Sequence, residues 1–282
     1  MSAVMLASSA FRSITLRTRQ LLPRVAVGTT RTLSGSSSEE NLRKDLATCH
    51  RLIAHSGLDE LHWNHISARV AGASTEGVRY LVTPGDKHFA CMQPEDLALV
   101  DGHISGDLSN VTADVIHGAI YKARPDVGAI LHLHSEAGMW VSCLPEQEPL
   151  KYYTQDAGGF WGKVAYYDFQ GVADEHEEQA DIVNAMEAKT AHDHLPDVLI
   201  MRNHGTTCCG QTIGEVYTKN FYLDRVCRLQ MNLAQSGAAP TEIPEPVLAK
   251  MAKQFEDPQF KHGCEWPAMV EFAKVHLGCT WH

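Results

Sequence analysis

The chain has 282 residues, 44% of them hydrophobic, which is enough for one sizeable buried core or at most two domains of ordinary size. Lys and Arg number 24 against 34 Asp and Glu, and Arg12, Arg17, Arg19, Arg24 and Arg31 all precede the first acidic residue, Glu39. Without those five the remainder holds 19 basic against 34 acidic side chains, a formal charge of −15 that repels phosphate backbones and anionic lipid and argues against nucleic-acid and membrane partners.

In chain order, residues 1–36 mix arginines with many Ser and Thr and scattered apolar residues, the composition of a mitochondrial transit peptide, so a matrix location is predicted. The arginines interrupt the apolar run of about 7–15 residues that a secretory signal needs, and no later run approaches the roughly 18 apolar residues of a membrane span. A folded domain is predicted over 37–240. Ser37 with Glu40 forms a capping box, followed by Leu42, Leu46, Cys49 and Ile53 at helical spacing up to Gly57. Residues 66–70 and 79–83 read as strands, with Pro84-Gly85-Asp86 as a turn.

A helix is predicted from Thr112 to about Ala123, with Pro125 beyond its end. Residues 127–134, 164–169 and 197–201 read as strands, and 174–191 as an acidic helix. Thr212 and Glu215 form a second capping box that opens a helix to about Gln235, and residues 236–240 link it to a helical extension over 241–282. Phe255, Phe260, Trp266, Phe272 and Trp281 in that extension are expected to pack on the domain or on a neighbouring subunit. Interleaved strands and helices indicate a layered α/β domain. The eight cysteines contain no two-residue-spaced pair and read as reduced thiols.

Alternate residues of a strand share a face, so His132 and His134 aim at one point. A catalytic zinc commonly takes three protein ligands and keeps one open position. His204, followed by Gly205, is the best third ligand, because glycine permits a tight turn at a strand end. His192 and His194 have the same spacing but lie at the polar end of the acidic helix. His117 reads as a core residue, and His62, His65 and His88 sit near turns. Glu136 continues the His134 face if the strand persists, which makes it a candidate acid/base.

Asn64-His65-Ile66-Ser67, Thr83-Pro84, the segment from His117 to Asp126, His132-Leu133-His134-Ser135 and Arg202-Asn203-His204-Gly205 fall in the order of the class II aldolase/adducin family, which the mature chain resembles. The resemblance implies a single-domain three-layer α/β/α fold with a mainly antiparallel central sheet. It also implies ring-shaped tetramers, a divalent metal, zinc in the family's enzymes, on His132, His134 and His204, and a small-molecule substrate whose oxygen the metal polarises. Asn64, Ser67, Thr83, Gly85 and Thr112 match the family's motifs and are expected to bind substrate, with Glu136 or His65 moving the proton.

The aldolase pattern places a catalytic Glu where this chain has Ala113, and Gly85-Asp86 puts a carboxylate near the family's phosphate pocket. These departures argue against aldolase activity and against a phosphorylated substrate. In detail, Ala123-Arg124-Pro125-Asp126-Val127 and Ala165-Tyr166-Tyr167-Asp168-Phe169 are more similar to the adducin head domain. The expectation is therefore a metal-dependent lyase, dehydratase or isomerase. The alternative is a non-catalytic adducin-like scaffold in the cytoplasm or cytoskeleton that binds actin or other cytoskeletal proteins.

Overall fold

The computed structural model describes residues 38–72, 77–101, 111–172 and 178–282, so the predicted transit peptide lies outside the described residues. Residues 36–282 form one compact unit. Helix α1 (Glu39–His55) is capped by Ser38, whose hydroxyl accepts from the Asn41 amide, one residue later than the cap expected at Ser37. Strands β1 (His65–Arg69), β2 (Arg79–Val82) and β3 (Ala98–Asp101) follow. Next, α2 (Val111–Ala113) and α3 (Ala119–Ala123) are joined by a π-helical turn, Asp114–Gly118. Then come β4 (Ala129–Leu133), α4 (Glu136–Ser142), β5 (Val164–Tyr167), α5 (Gln179–Glu187), β6 (Val198–Met201) and β7 (Gly205–Gly210). The chain ends with α6 (Ile213–Ser236), α7 (Glu245–Gln254) and α8 (Trp266–His276). Among the described residues no helix is long and apolar enough to cross a membrane.

The strands form one seven-stranded sheet in the order β3-β2-β1-β4-β7-β6-β5. It is mixed, which corrects the expectation of a mainly antiparallel sheet: β5 and β6 run parallel, and the other neighbours are antiparallel. The reason is the connection between them. A parallel pair needs a crossover of a dozen or more residues, and the segment holding α5 supplies it. The sequence also missed β3, β7 and α4, and carried α5 past its end at Glu187, while residues 174–177 of the expected helix lie outside the described residues.

Register sorts the core. His65 stands opposite His132, Ser67 opposite Ile130, and His132 opposite Thr207, so these side chains share one face with Leu199 and Met201. That face packs on the π turn, α3 and α5 through Val115, Ile116, Ile120, Ile182 and Met186. Ile66, Ala68, Leu131 and Leu133 point the other way, toward α1, α6 and α8. Val198, Ile200 and Cys208 share that second face and meet α4 and α6. The C-terminal extension packs on this side, with Trp266, Phe272 and Trp281 against the α1 cluster.

Two caps define the entry and exit of α6. Thr212 accepts from the Glu215 amide while the Glu215 carboxylate accepts from the Gln211 amide, and Gly237 ends the helix at φ 68°. A left-handed residue at that position is what glycine supplies without steric penalty.

Candidate metal centre

Apolar residues bury β4 from both faces, and the strand delivers His132, almost fully buried, to the edge of a cleft at its C-terminal end. His134 lies just beyond that end. His204 comes from the turn between β6 and β7, where Asn203, not glycine, takes the left-handed conformation at φ 54°. Gly205 is required for space: a Cβ there would sit 2.6 Å from the Leu133 carbonyl oxygen. Arg202 fixes the same turn by donating to the Glu146 and Gln147 carbonyls and pairing with Asp168 at 3.2 Å.

One donor atom from each of His132, His134 and His204 lies within 4.8 Å of the others, the one such metal-ligating cluster among the described residues. Each ring is held by an outer partner. His132 Nδ1 is 2.9 Å from Thr207 Oγ1, which also lies 3.7 Å from Met201 Sδ. His134 Nδ1 is 2.5 Å from a Glu60 carboxylate oxygen, which can only accept. Both rings turn Nε2 inward, and the two Nε2 atoms are 2.8 Å apart. Two inward ring nitrogens at that distance can share a proton or hold a common cation, and an outer carboxylate on one ligand is the usual support for a metal. Burial pushes the pKa of His132 well below normal and that of His204 down to about 4, so both rings are neutral, as metal binding requires.

A second chain of hydrogen bonds begins beside this cluster. His65 stacks on His132 with ring centroids 4.7 Å apart. Its Nε2 lies 3.3 Å from Thr112 Oγ1 and its Nδ1 2.7 Å from His117 Nε2. His117 Nδ1 is 2.6 Å from Ser67 Oγ, which is 2.9 Å from the Tyr121 hydroxyl. Burial raises the Tyr121 pKa, so the phenol keeps its proton, with Ser67 beside it. One direction then satisfies every member: Tyr121 donates to Ser67, Ser67 to His117 Nδ1, His117 Nε2 to His65 Nδ1, and His65 presents an N–H at Nε2. Burial depresses the pKa of both His65 and His117, which agrees with two neutral rings.

The cleft is a cavity of about 330 Å³ whose wall beyond the histidines includes Glu60, Trp63, Thr112, Phe169 and Val172. No Lys or Arg lines it among the described residues.

Of the residues expected to bind substrate, only Thr112 lines the cleft. Ser67 is buried in the hydrogen-bond chain, and Thr83 faces the other side of the sheet, bonded to His50 and the Ile66 amide. Asn64 is buried and accepts from the Glu60 amide, so it shapes the loop that carries Glu60. Gly85 lies outside the cleft wall.

Glu136 does not join the site. The strand stops at Leu133, and Glu136 opens α4 on the surface, where its charge acts on Arg228. Ala113 is fully buried, and the cleft position on that turn is Thr112. His192 stacks on Trp161, with ring centroids 4.0 Å apart, and His88 pairs with Asp59 at 3.3 Å. Sequence reasoning missed Glu60, whose contact with His134 spans 74 residues and leaves no local signal.

A mixed seven-stranded sheet with three imidazoles converging at the rim defines an α/β protein with the donor set of a divalent-metal site. The family model for the class II aldolase and adducin N-terminal domain matches residues 44–231, and the chain belongs to that family. It is 32% identical over 219 residues to a Pseudomonas aeruginosa protein named "Putative aldolase class 2 protein", covering 76% of this chain and 80% of that one. Human beta-adducin is 28% identical over 80% of this chain, which spans 30% of that longer protein. The structure of L-fuculose 1-phosphate aldolase from Glaciozyma antarctica matches with a TM-score of 0.71 at 27% identity, over 88% of this chain and 96% of that one.

Proposed function

We propose that the protein is a metal-dependent enzyme carrying out lyase, dehydratase or isomerase chemistry on a small, non-phosphorylated hydroxy-carbonyl compound. The observation that carries this reading is the convergence of His132, His134 and His204, with the Nε2 atoms of the first two turned inward and each of those rings held from behind by Thr207 or Glu60. Together with His204 they would hold zinc, the ion suited to an all-imidazole donor set. When bound, the ion would act as a Lewis acid toward a substrate oxygen.

The other roles belong to the chain itself. Glu60 orients His134. His65 offers its Nε2–H to substrate oxygen at the cleft wall, and the buried chain through His117, Ser67 and Tyr121 holds that tautomer. Trp63, Phe169 and Val172 shield the mouth from water and favour a substrate with an apolar end. The lack of a cation along the described wall supports a substrate without phosphate. A ring-shaped homotetramer in the mitochondrial matrix is the assembly and location we propose.

The test is metal analysis of the purified protein, followed by a turnover screen against hydroxy-carbonyl compounds with and without chelator. Chelator-sensitive turnover is expected, and protein that carries no metal and turns nothing over would overturn the reading. Imaging a C-terminal fusion tests the location, with cytosolic signal as the contrary result.

One observation favours a second reading, a non-catalytic scaffold with cytoskeletal partners. Glu60 is the one carboxylate on the described cleft wall, and it is engaged by His134. Metal-loaded protein that is inert in the screen yet sediments with actin filaments would establish this alternative.

A further inference from the structure

The opposite end of the sheet carries a second cavity, of about 240 Å³, walled in part by Lys163, Asp197, Glu215, Lys219, Lys261 and His262. Val127 before β4 also lines it, five residues from His132. At about 3.3 Å per strand residue the two sites are roughly 16 Å apart. It is therefore no part of the histidine cleft.

Three of the four acids lining this cavity are committed at short range, Asp126 to Arg124 at 2.7 Å among them, and the fourth, Glu256, is exposed. Glu215 Oε1 is 2.9 Å from Lys219 Nζ, and its other oxygen accepts from the Gln211 amide at 3.0 Å. Asp197 lies 3.1 Å from the same buried lysine. Two of the cations are held more loosely: Lys163 Nζ is 3.9 Å from Glu256, and Lys261 Nζ is 3.6 Å from Glu215.

His262 is the unexplained group. It is 6% exposed, and neither ring nitrogen has a partner in the protein. It stacks between Phe160 and Phe255 with its plane within 20° and 22° of theirs. The fold also makes room for it, since a Cβ on Gly159 would lie 2.6 Å from its Nε2. Leaving a buried donor and acceptor unpaired costs stability. Burial lowers the His262 pKa to about 4, so the ring is neutral and offers one N–H and one lone pair.

We propose that this cavity binds the oxyanion group, phosphate or carboxylate, of a small metabolite. Lys163 and Lys261 supply the counter-charge and the His262 N–H donates to an anion oxygen. Paired acids repel an anion weakly, while two loosely paired lysines and an unmet N–H all gain a partner from it.

The test uses the full chain labelled at its histidine rings, titrated separately with inorganic phosphate and with acetate. The His262 resonance is assigned by its loss in His262→Phe, which keeps the aromatic stack. A saturable shift of that resonance is expected, weakened about tenfold in Lys163→Gln or Lys261→Gln by loss of a charge-assisted hydrogen bond. A response to one anion alone identifies which chemistry the site takes. A His262 resonance that does not respond to either anion, or a response undiminished in both lysine variants, overturns the proposal. Both lysines reach solvent, so calorimetric titration of those variants with each anion carries the test even if His262→Phe fails to fold.

Discussion

The Nε2 atoms of His132 and His134 face each other across 2.8 Å while each ring is held at Nδ1 by a fixed outer partner. A cation held by both nitrogens would join these partners into one unit. Metal removal is therefore expected to lower the thermal midpoint, because an ion bound only by the folded state stabilises it by mass action. Glu60→Ala should weaken metal affinity about 10–100-fold, the range for losing an outer partner of a ligating histidine. Thermal unfolding with and without chelator reads the first and competition with a chromophoric chelator the second, and affinity equal to that of the parent protein would show that Glu60 does not support His134.

Gly205→Ala should damage the site through backbone contact. The added Cβ would meet the Leu133 carbonyl oxygen at 2.6 Å and the His134 ring at 2.9 Å, so β4 and β7 cannot both keep their places. A destabilisation of about 1–3 kcal/mol, typical of overpacking, is expected together with reduced metal content. Urea unfolding and metal analysis on the same preparation read both quantities, and a variant with parental metal content would remove the link between this turn and the ligands.

The site was legible where its signal was local. Simple alternation puts His132 and His134 on one side of the chain, although β4 itself ends at Leu133. His204 was chosen for the glycine after it, but the left-handed turn that brings it in is made by Asn203, and its approach depends on how a distant turn closes. Glu60 could not be read at all: it reaches His134 from a loop 74 residues away. The strand ending at Leu133 was also invisible, since Ser135 caps α4 by accepting from the Gly138 amide, and that capping role turns Glu136 away from the cleft. In the fold, the alternation of β5, α5 and β6 was visible as elements, but the parallel pairing they produce depends on where the crossover returns.

Tyr121→Phe tests the hydrogen-bond chain. The substitution leaves the ring in its buried cluster and removes only the hydroxyl that donates to Ser67. Ser67 Oγ is then no longer held as a donor to His117 Nδ1, and the direction of the whole chain is lost. Stability should fall by about 1 kcal/mol, as for one hydrogen bond. Nitrogen chemical shifts of the labelled His65 ring should change from a single Nε2–H tautomer to a mixture. A ring that keeps one tautomer in the variant would show that Tyr121 does not set it.

Stability should fall as the solution is acidified. Burial lowers the folded-state pKa of His50 to about 4, of His117 to about 3 and of His262 to about 4, against an ordinary value of 6.5. Above 6.5 neither state binds these protons and the full stability is present. As the pH drops from there toward about 4, the unfolded chain takes up protons that the folded chain refuses. Each such histidine then costs about 1.4 kcal/mol per pH unit. Urea midpoints measured across this window should decline, and His50→Gln should make the decline shallower. A midpoint independent of pH between these values would contradict the burial assigned to these rings.

Adding a carboxylate to α2 should have opposite results at two adjacent positions. Ala113 is fully buried beside Tyr80, Val82 and Val100, so Ala113→Glu would place a charge in an apolar cluster. Such a charge is disfavoured by several kcal/mol unless the group stays protonated. Thr112 is partly exposed on the cleft wall beside His65 Nε2, so Thr112→Glu would place its carboxylate toward the histidines with water still within reach. The first variant is expected to lose stability with no gain in metal affinity. The second should remain folded and bind a divalent cation more tightly, since an added anion near the ligands attracts the ion. Chelator competition and urea unfolding on both variants decide the matter. Tighter metal binding in Ala113→Glu and none in Thr112→Glu would mean that position 113, and not 112, faces the metal in the working protein.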